Sequence, residues 1–346
     1  MKWPLACPVE VDDTERILLA HGEGGRLSRR LIRERIAKRF TNHQLDQLAD
    51  AARLSPTSGQ LVFTTDSFVV TPLFFPGGDI GSLAVYGTAN DLAVAGGRPR
   101  WLSLSLILEE GLPLTTLDRI LDSIAAAARR IDVEIVAGDT KVVPRGAADQ
   151  IFINTSGLGE LVEPAPAGPQ ALAVGDELLV SGPIGRHGIA VLSARNALGF
   201  EPQPESDCGP LLAVVDALRK AGVNCRALRD ATRGGVAAVL HEWAAACRLT
   251  MQIDEAQLPV NDNVRGACEL LGLDPLFVAC EGTMVLAVPP GFAESALAAM
   301  RQLPESSGAA LIGHVTMAGT AVVVRRLLGR LQPLDEPAGA PLPRIC

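Results

Sequence analysis

Apolar and polar positions along the first half of the chain predict strands that alternate with helices. Strand-length apolar runs occupy residues 61–65, continuing through 68–70, and then 101–108, 134–137 and 150–154. Helical spacing of apolar positions lies between these runs, at about 80–95 and in an alanine-rich stretch at 117–131. A segment rich in proline and alanine, residues 163–169, follows and predicts a domain boundary.

The second half repeats this arrangement. Its predicted strands are 176–181, 250–253, 284–288 and 321–325, and its predicted helices are 188–196, 210–221 and 235–246. This alternation predicts a mixed α/β (α+β) fold with two α/β domains. The expected organisation is an N-terminal segment at 1–55 with a glycine-rich loop and a basic helix, domains at 56–162 and 170–330, and a flexible tail at 331–346.

Composition narrows the function classes. The chain of 346 residues carries a net charge of −8, which argues against non-specific binding of nucleic acid. No apolar stretch reaches the ~20 residues of a membrane span, and the start of the chain shows no secretory signal. The seven cysteines form no Cys-x-x-Cys pair, so we expect reduced thiols in a cytoplasmic protein.

The chain ends on a cysteine, in the sequence Pro341-Leu342-Pro343-Arg344-Ile345-Cys346. Its prolines favour an extended, semi-rigid conformation, and about fifteen residues from Leu331 onward would span on the order of 50 Å. Two interpretations remain open, an arm that carries the thiol between sites and an ordinary disordered terminus. A prenylation signal is excluded, because it needs the cysteine four residues from the end.

Five aspartates lie in glycine-rich or polar turns: Asp66, Asp79, Asp91, Asp139 and Asp230. Oxygen ligands beside glycine turns suit Mg²⁺ bound together with nucleotide phosphates. Asp66 also interrupts an apolar strand, where an unpaired charge is costly. Any one of them is more often a turn former or a helix cap, but the five together favour a metal and phosphate site.

A glycine-rich turn, His21-Gly22-Glu23-Gly24-Gly25, precedes the basic helix. Backbone N–H groups at a helix N-terminus bind phosphate, and neighbouring arginines assist, so Gly24 and Gly25 are candidate phosphate-binding residues. The alternative is a mobile loop followed by a solvated basic face. The chain contains no Walker A sequence.

Two further residues are candidates for proton transfer. Lys141 follows Asp139 by two positions and is suited to neutralising phosphate or acting on a substrate proton. Glu281 follows a buried apolar run and precedes a glycine, which makes it a candidate general base. The simpler alternatives are a surface salt bridge for Lys141 and a turn carboxylate for Glu281.

Taken together, these segments resemble the HypE family of hydrogenase maturation factors. That family belongs to the nucleotide-binding superfamily of aminoimidazole ribonucleotide synthetase and selenophosphate synthetase. The terminal tetrapeptide Pro343-Arg344-Ile345-Cys346 selects this family within the superfamily. The other matching stretches are 21–25, 64–70, 72–81, 87–93, 136–143, 184–188, 230–235 and 272–276.

The resemblance implies a specific activity. A partner carbamoyltransferase loads a carbamoyl group onto the terminal thiol, here Cys346, and the enzyme uses ATP to dehydrate this S-carboxamide to a thiocyanate. The cyano group then passes to iron on a scaffold complex and becomes a ligand of the nickel–iron hydrogenase site. The superfamily also implies a homodimer formed through strands of the first domain.

The resemblance also assigns roles to individual residues. The implied Mg²⁺ and phosphate ligands are Asp66, Asp91, Asp139 and Asp230. The other implied nucleotide-binding residues are Asp79, Asn90, Thr140, Gly24 and Gly25. The implied catalytic residues are Cys346, Glu281 and Lys141. The chain departs from the family pattern at Cys280, where an asparagine is expected, and in the extension before His21, where Cys7 has no family role.

Two other functions remain in competition. A selenophosphate synthetase is expected to carry a cysteine or selenocysteine in the early glycine-rich loop, and residues 21–25 contain none. The other alternative is a non-catalytic protein that uses its tail as a docking peptide. ATP hydrolysis that depends on carbamoylated Cys346 would distinguish the dehydratase from both alternatives.

Overall fold

A computed structural model describes residues 15–23, 25–47, 51–55, 57 and 59–336. The strands of its first half are β1 (Leu61–Phe68), β2 (Phe74–Phe75), β3 (Gly78–Asp79), β4 (Gly97–Glu109), β5 (Glu134–Val143) and β6 (Ile151–Leu161). Those of its second half are β7 (Glu177–Val180), β8 (Ala227–Asp230), β9 (Leu249–Asp254), β10 (Met284–Val288), β11 (Ala310–Ala318), β12 (Val322–Arg325) and β13 (Leu331–Pro333).

The helices alternate with these strands. They are α1 (Arg26–Arg30), α2 (Ile80–Val94), α3 (Leu114–Arg130), α4 (Arg186–Asn196), α5 (Leu212–Lys220), α6 (Gly235–Cys247), α7 (Asp262–Leu271) and α8 (Ala293–Met300). Helix α1 continues as a wider π-helical turn over Leu31–Ile36 and a tighter turn over Ala37–Arg39. The predicted mixed α/β fold is confirmed.

The first sheet has the strand order β1-β6-β4-β5, antiparallel except for the parallel pair β4 and β5. Helices α2 and α3 cover one face, where leucines of β4 join the core. The opposite face, called the outer face below, leaves Phe63 64% and Ile107 40% exposed.

The second sheet has the order β13-β12-β9-β11-β7-β10-β8 and is covered on both faces. Strand β10 shows this directly, because its residues are all buried and alternate between two cores. Val285 packs in the core that contains Trp243 of α6, and Leu286 packs in the core that contains Met300 of α8. A continuous apolar run of this kind is typical of a strand buried on both sides.

Helix α2 connects the two halves of the molecule. It contacts β1, β4, β6 and α3 on one side and β8 and α5 on the other, and most of its residues are buried. Small residues permit this close packing: a Cβ added at Gly87 would lie 2.8 Å from the ring of Phe68. Residues near the C-terminal end of α2 are therefore held between the two sheets.

The structure extends several predicted elements and adds others. Strands β5 and β6 run several residues beyond the predicted segments, and β8, β11, α7 and α8 were not predicted. Residues 331–333, expected to begin the tail, instead form β13 against β12. Leu334 is 5% exposed and anchors the chain there. The remainder of the predicted tail, from 337, lies outside the described residues.

Among the described residues, no helix has both the length and the hydropathy needed to cross a bilayer. The cysteines described as free are Cys208, Cys225, Cys247, Cys268 and Cys280.

Candidate functional site

Three of the five predicted aspartates come together where the two sheets meet. Asp66 lies near the end of β1, Asp91 in the last turn of α2, and Asp230 at the end of β8. The carboxylates of Asp66 and Asp91 both lie close enough to Asp230 to raise its pKa. We call Asp66, Asp91 and Asp230 the junction cluster.

Burial and mutual repulsion both act on this cluster. Burial is the main cause that raises the pKa of Asp230 to about 7, and the charge of Asp91 is the next. Burial also raises the pKa of Asp91, which the neighbouring charge of Asp66 raises further. Buried carboxylates that destabilise one another's ionised form are a common sign of a functional site.

Two contacts partly offset this repulsion. The Thr64 hydroxyl donates to Asp91 Oδ2 at 2.9 Å. An Arg233 guanidinium nitrogen lies 3.5 Å from Asp66 Oδ1, although the arginine side chain is 65% exposed. Burial is the main cause that raises the pKa of Asp66, and this arginine opposes it. These contacts offset the effect of burial and repulsion only in part, because the pKa values of all three aspartates remain raised.

The residues of the cluster suit Mg²⁺ bound with phosphate rather than a metal held by protein alone. Within the described ranges, no group of three or more His, Cys, Asp or Glu side chains is arranged to hold a metal ion. Mg²⁺ commonly uses one or two carboxylates together with water and phosphate oxygens. The raised pKa values of Asp91 and Asp230 show that burial and neighbouring carboxylates disfavour their ionised forms, and a bound cation would favour those forms.

Glu281 lies in the turn that leads into β10, directly beside the junction cluster. The Cys280 N–H donates to the carbonyl oxygen of Ala231, which follows Asp230. Glu281 itself is 3% exposed. The structure thus brings Glu281 and Asp230 to the same end of the second sheet.

The turn that carries Glu281 is fixed by Asp207, a residue that the sequence analysis did not single out. The backbone N–H groups of Glu281 and Gly282 donate to the two carboxylate oxygens of Asp207, each at 3.1 Å. A Cβ added at Gly282 would lie 1.9 Å from the Asp207 carbonyl oxygen. Only glycine allows this approach.

Asn90 holds the same region from the side of α2. Its amide nitrogen donates to the carbonyl oxygens of Gly209 and Glu281, at 3.0 and 3.3 Å, and its oxygen accepts from the Leu211 N–H at 2.7 Å. The side chain is 1% exposed. These contacts give Asn90 a positioning role, and its predicted contact with a nucleotide stays a prediction.

The segment that contains Asp207 is tied to both halves of the molecule. The Ser206 N–H donates to the Pro76 carbonyl at 2.8 Å, and its hydroxyl lies 2.8 Å from His187 Nδ1. His187 is fully buried, which indicates a structural role. The sequence Asp207-Cys208-Gly209-Pro210 contains a Gly-Pro pair that is typical of a turn, and this was the signal by which the segment could have been found.

Two thiols near Glu281 are held in their neutral form. Burial is the largest cause that raises the pKa of Cys208 and of Cys280 well above the usual range. Cys280 Sγ accepts from the Gly185 N–H at 3.2 Å and lies 3.8 Å from the Val278 carbonyl. The residue that replaces the expected asparagine therefore occupies the core.

Asp79 caps α2. Its Oδ1 accepts from the N–H groups of Gly81 and Ser82 at 2.7 and 3.1 Å, and its Oδ2 accepts from the Ser123 hydroxyl at 2.6 Å. These contacts match the helix-cap alternative. Its predicted place beside a phosphate loop has no further support in these contacts.

Asp139 and Lys141 do not join the junction cluster. Strand register places them on the outer face, opposite Ser105 and Ile107, whereas Asp66 lies on the helix-covered face. Lys141 Nζ is 3.4 Å from Asp139 Oδ2, and both side chains are more than 60% exposed. This exposed pair is the surface salt bridge considered above.

A cavity of about 390 Å³ lies beside Asp139, between β5 and the basic helix. Arg29, Arg33, Phe40, Asp139 and Thr140 are among its lining residues. Elsewhere on this helix, Arg35 pairs with Asp118, and Arg39 pairs with Asp118 and Asp122. Only part of the basic helix is therefore available to a ligand.

Of the two glycines predicted to bind phosphate, only Gly25 is among the described residues. Gly25 precedes α1, and a Cβ added there would meet no atom within 4 Å. Gly24 and Cys346 lie outside the described residues, as does Cys7.

Comparison with known proteins gives two matching family models. The "AIR synthase related protein, N-terminal domain" matches residues 48–161, and the "AIR synthase related protein, C-terminal domain" matches residues 173–325. A curated relative, "Carbamoyl dehydratase HypE" of Escherichia coli (strain K12), is 49% identical over 336 residues, with 95% of this chain and 99% of the relative covered.

Solved structures give the same match. "Hydrogenase Maturation Protein HypE in complex with ATP" superposes with a TM-score of 0.91 at 45% identity, covering 95% of this chain and 99% of that one. A "HypE-HypF complex" superposes with a TM-score of 0.78 at 44% identity, covering 89% and 99% of the two chains.

Proposed function

Because the chain belongs to the HypE family within the AIR synthase related proteins, we propose that it is an ATP-dependent carbamoyl dehydratase. It removes water from an S-carboxamide carried on its own Cys346 and leaves a thiocyanate, the source of the cyanide ligand in the nickel–iron hydrogenase site. The relatives named for this activity favour it over selenophosphate synthesis and over a non-catalytic docking role.

The reaction needs activation of a poor leaving group. The amide oxygen leaves poorly, so the γ-phosphoryl group of ATP is first transferred to it. The carbon–oxygen bond then breaks and the oxygen leaves as part of phosphate, the two N–H protons are removed, and the carbon–nitrogen triple bond forms. The products are the thiocyanate, ADP and phosphate.

The junction cluster supplies the phosphate-handling part of this scheme. Carboxylates of Asp66, Asp91 and Asp230 would hold Mg²⁺ together with water and phosphate oxygens, and the ion would neutralise negative charge on the phosphate. The mutual repulsion of these carboxylates supports the assignment, since it is relieved by a cation. Asp139 and Thr140 would contribute to binding the nucleotide from the cavity beside β5.

Proton removal requires a base close to the cluster. Glu281 is our candidate because its turn lies beside Asp230 and is fixed by Asp207 and Asn90. Lys141 remains the second candidate, although its exposed pairing with Asp139 supports it less.

We further propose the partners of the reaction. The solved HypE–HypF complex supports HypF as the carbamoyltransferase that loads Cys346, and an iron-carrying scaffold complex would accept the cyano group. We also propose a homodimer through the outer face, since that face exposes Leu61, Phe63 and Ile107 on one side of the first sheet. Asp139 and Lys141 would then lie at the subunit interface.

The observation that carries the function is the family match over 95% of the chain. The proposed activity is tested by intact mass spectrometry of the full chain after loading by HypF, with and without ATP and Mg²⁺. We expect a carbamoyl mass gain that decreases by one water only when ATP is present. Product formation that survives deletion of Ile345 and Cys346 would contradict the proposal.

A further inference from the structure

An exposed hairpin tip lies immediately before the C-terminal segment. It joins β12 to β13 and comprises residues 325–331, which we call the leucine hairpin. Leu327 is 73% exposed, Leu328 93% and Leu331 55%. Three large apolar side chains on one short turn form a patch of the kind that marks protein interfaces.

The leucine hairpin is firmly attached to the domain. An Arg326 guanidinium nitrogen lies 3.1 Å from Glu255 and 3.5 Å from Asp274, and the Leu327 N–H donates to Glu255 at 3.0 Å. The Arg326 N–H also closes the turn by donating to the Arg330 carbonyl at 2.9 Å. The leucines are thus held outward by an ordered turn.

The position of the hairpin suggests what covers it. After β13, Leu334 is buried and its N–H donates to the Val322 carbonyl at 2.8 Å. Cys346 lies ten positions after Glu336, and a chain of that length spans about 34 Å at most. An enzyme that modifies Cys346 must therefore place its active site within that distance of Glu336, which follows the leucine hairpin by five residues.

Two exposed arginines beside the leucines indicate which charges a partner surface would carry. Arg325 and Arg330 flank the leucines and are exposed. Within the described residues neither arginine has a carboxylate at ion-pair distance, whereas Arg326 has two. A matching surface would be an apolar groove bordered by aspartate or glutamate.

We propose that the leucine hairpin is a docking surface for the carbamoyltransferase that loads Cys346. The inference rests on the proposed function, because it takes the loading of Cys346 as given. Docking beside the tail's attachment point places the terminal thiol within reach of the partner's active site and increases the encounter rate above that of the tail alone.

The test compares loading with the chain's own reaction. The Leu327→Ser/Leu328→Ser variant is titrated as substrate of the HypF protein from the same organism, and carbamoylation is followed by intact mass. We expect KM to increase at least about tenfold, because two apolar side chains leave the interface. Variant loaded to completion with excess HypF should lose water with ATP at the wild-type rate.

Leu270→Ser is the matched control, because Leu270 is 78% exposed on α7; it should change neither rate. The Arg325→Glu/Arg330→Glu variant should also increase KM and weaken the salt dependence of loading. An unchanged KM in the leucine variant, or an equal increase in the control, overturns the proposal. So does a change of oligomeric state, which would assign the patch to a second copy.

The two proposals fail separately in this design. If loaded wild-type protein keeps its full mass with ATP, the dehydratase function is wrong, while the KM comparison still decides the docking surface. A thermal unfolding curve equal to that of the wild type shows that the leucine variant is folded.

Discussion

The junction cluster and the outer face both carry predicted acidic site residues, but these residues differ in burial and in the charges around them. Asp230 is 5% exposed and its carboxyl lies among other carboxylates, whereas Asp139 is exposed and paired with Lys141. The first arrangement is costly in the absence of a cation, and the second is close to neutral for a single subunit. Asp139 and Asp230 both occur in glycine-rich or polar turns of the sequence, but this similarity does not place them in the same site.

The largest expected effect separates these two positions by their metal dependence. Asp230→Asn should lower the rate of ATP-dependent dehydration about 100-fold or more and increase the Mg²⁺ concentration needed for half-maximal activity. Asp139→Asn should leave that Mg²⁺ requirement unchanged and act on the KM for ATP. The measurement is a Mg²⁺ titration of water loss by loaded protein. Equal shifts in both variants would place Asp139 in the same metal site.

The second prediction concerns pH. The pKa of Asp230 is raised from 3.8 to about 7. Between about pH 4 and pH 7 the folded protein therefore keeps a proton on this carboxyl that the unfolded chain has already released. Stability therefore decreases as pH rises through this window, by at most about 4 kcal/mol. Thermal unfolding at several pH values should show this slope in wild type and in Asp139→Asn. The slope should be smaller in Asp230→Asn, and the comparison fails if it persists there.

The third prediction concerns the turn beside the junction cluster. Gly282→Ala adds a Cβ that meets the backbone of Asp207 at 1.9 Å, so we expect a loss of about 1–3 kcal/mol in unfolding free energy. Gly266→Ala is the control, because its Cβ would meet no atom within 4 Å and it lies in α7. Chemical denaturation measures both, and equal midpoints for Gly282→Ala and wild type would show that the turn is loosely held.

The smallest effect is expected at the outer face. Phe63→Ser should increase the dissociation constant of the homodimer about tenfold, since an exposed aromatic of this kind is a typical interface anchor. Analytical ultracentrifugation over a range of concentrations measures the change. Met317→Ser is the control, because Met317 is 73% exposed on the second sheet. A monomeric wild type at all concentrations would contradict the dimer.

Local patterns were sufficient to predict the fold class and the end of α2. Periodicity identified the strands and helices whose apolar residues repeat regularly. The acidic turns predicted five candidate aspartates, of which Asp66, Asp91 and Asp230 lie together in the structure. Strand β11 was missed because a bulge between Leu311 and Gly313 interrupts its register. Strand β13 was missed because its three exposed residues resemble a linker and are fixed only by pairing with β12.

The arrangement of the site depended on contacts distant in sequence. Asp207 acts on Glu281 across more than seventy positions, and no spacing rule connects them. Asp139 and Asp66 are separated because they lie on opposite faces of the first sheet. Strand register decides the face, since successive residues of a strand point to opposite sides. The sequence pattern predicts the residue types of the candidate site, and contacts between distant segments determine which of them lie together.

The burial of Leu334 fixes the point from which the C-terminal segment departs, and this has a kinetic consequence. Twelve residues follow it to Cys346, with a root-mean-square span on the order of 20 Å for a flexible chain. A group on such a tether has an effective concentration on the order of millimolar near the domain that bears it. Dehydration should therefore be first order and insensitive to dilution, whereas loading slows as the two proteins are diluted.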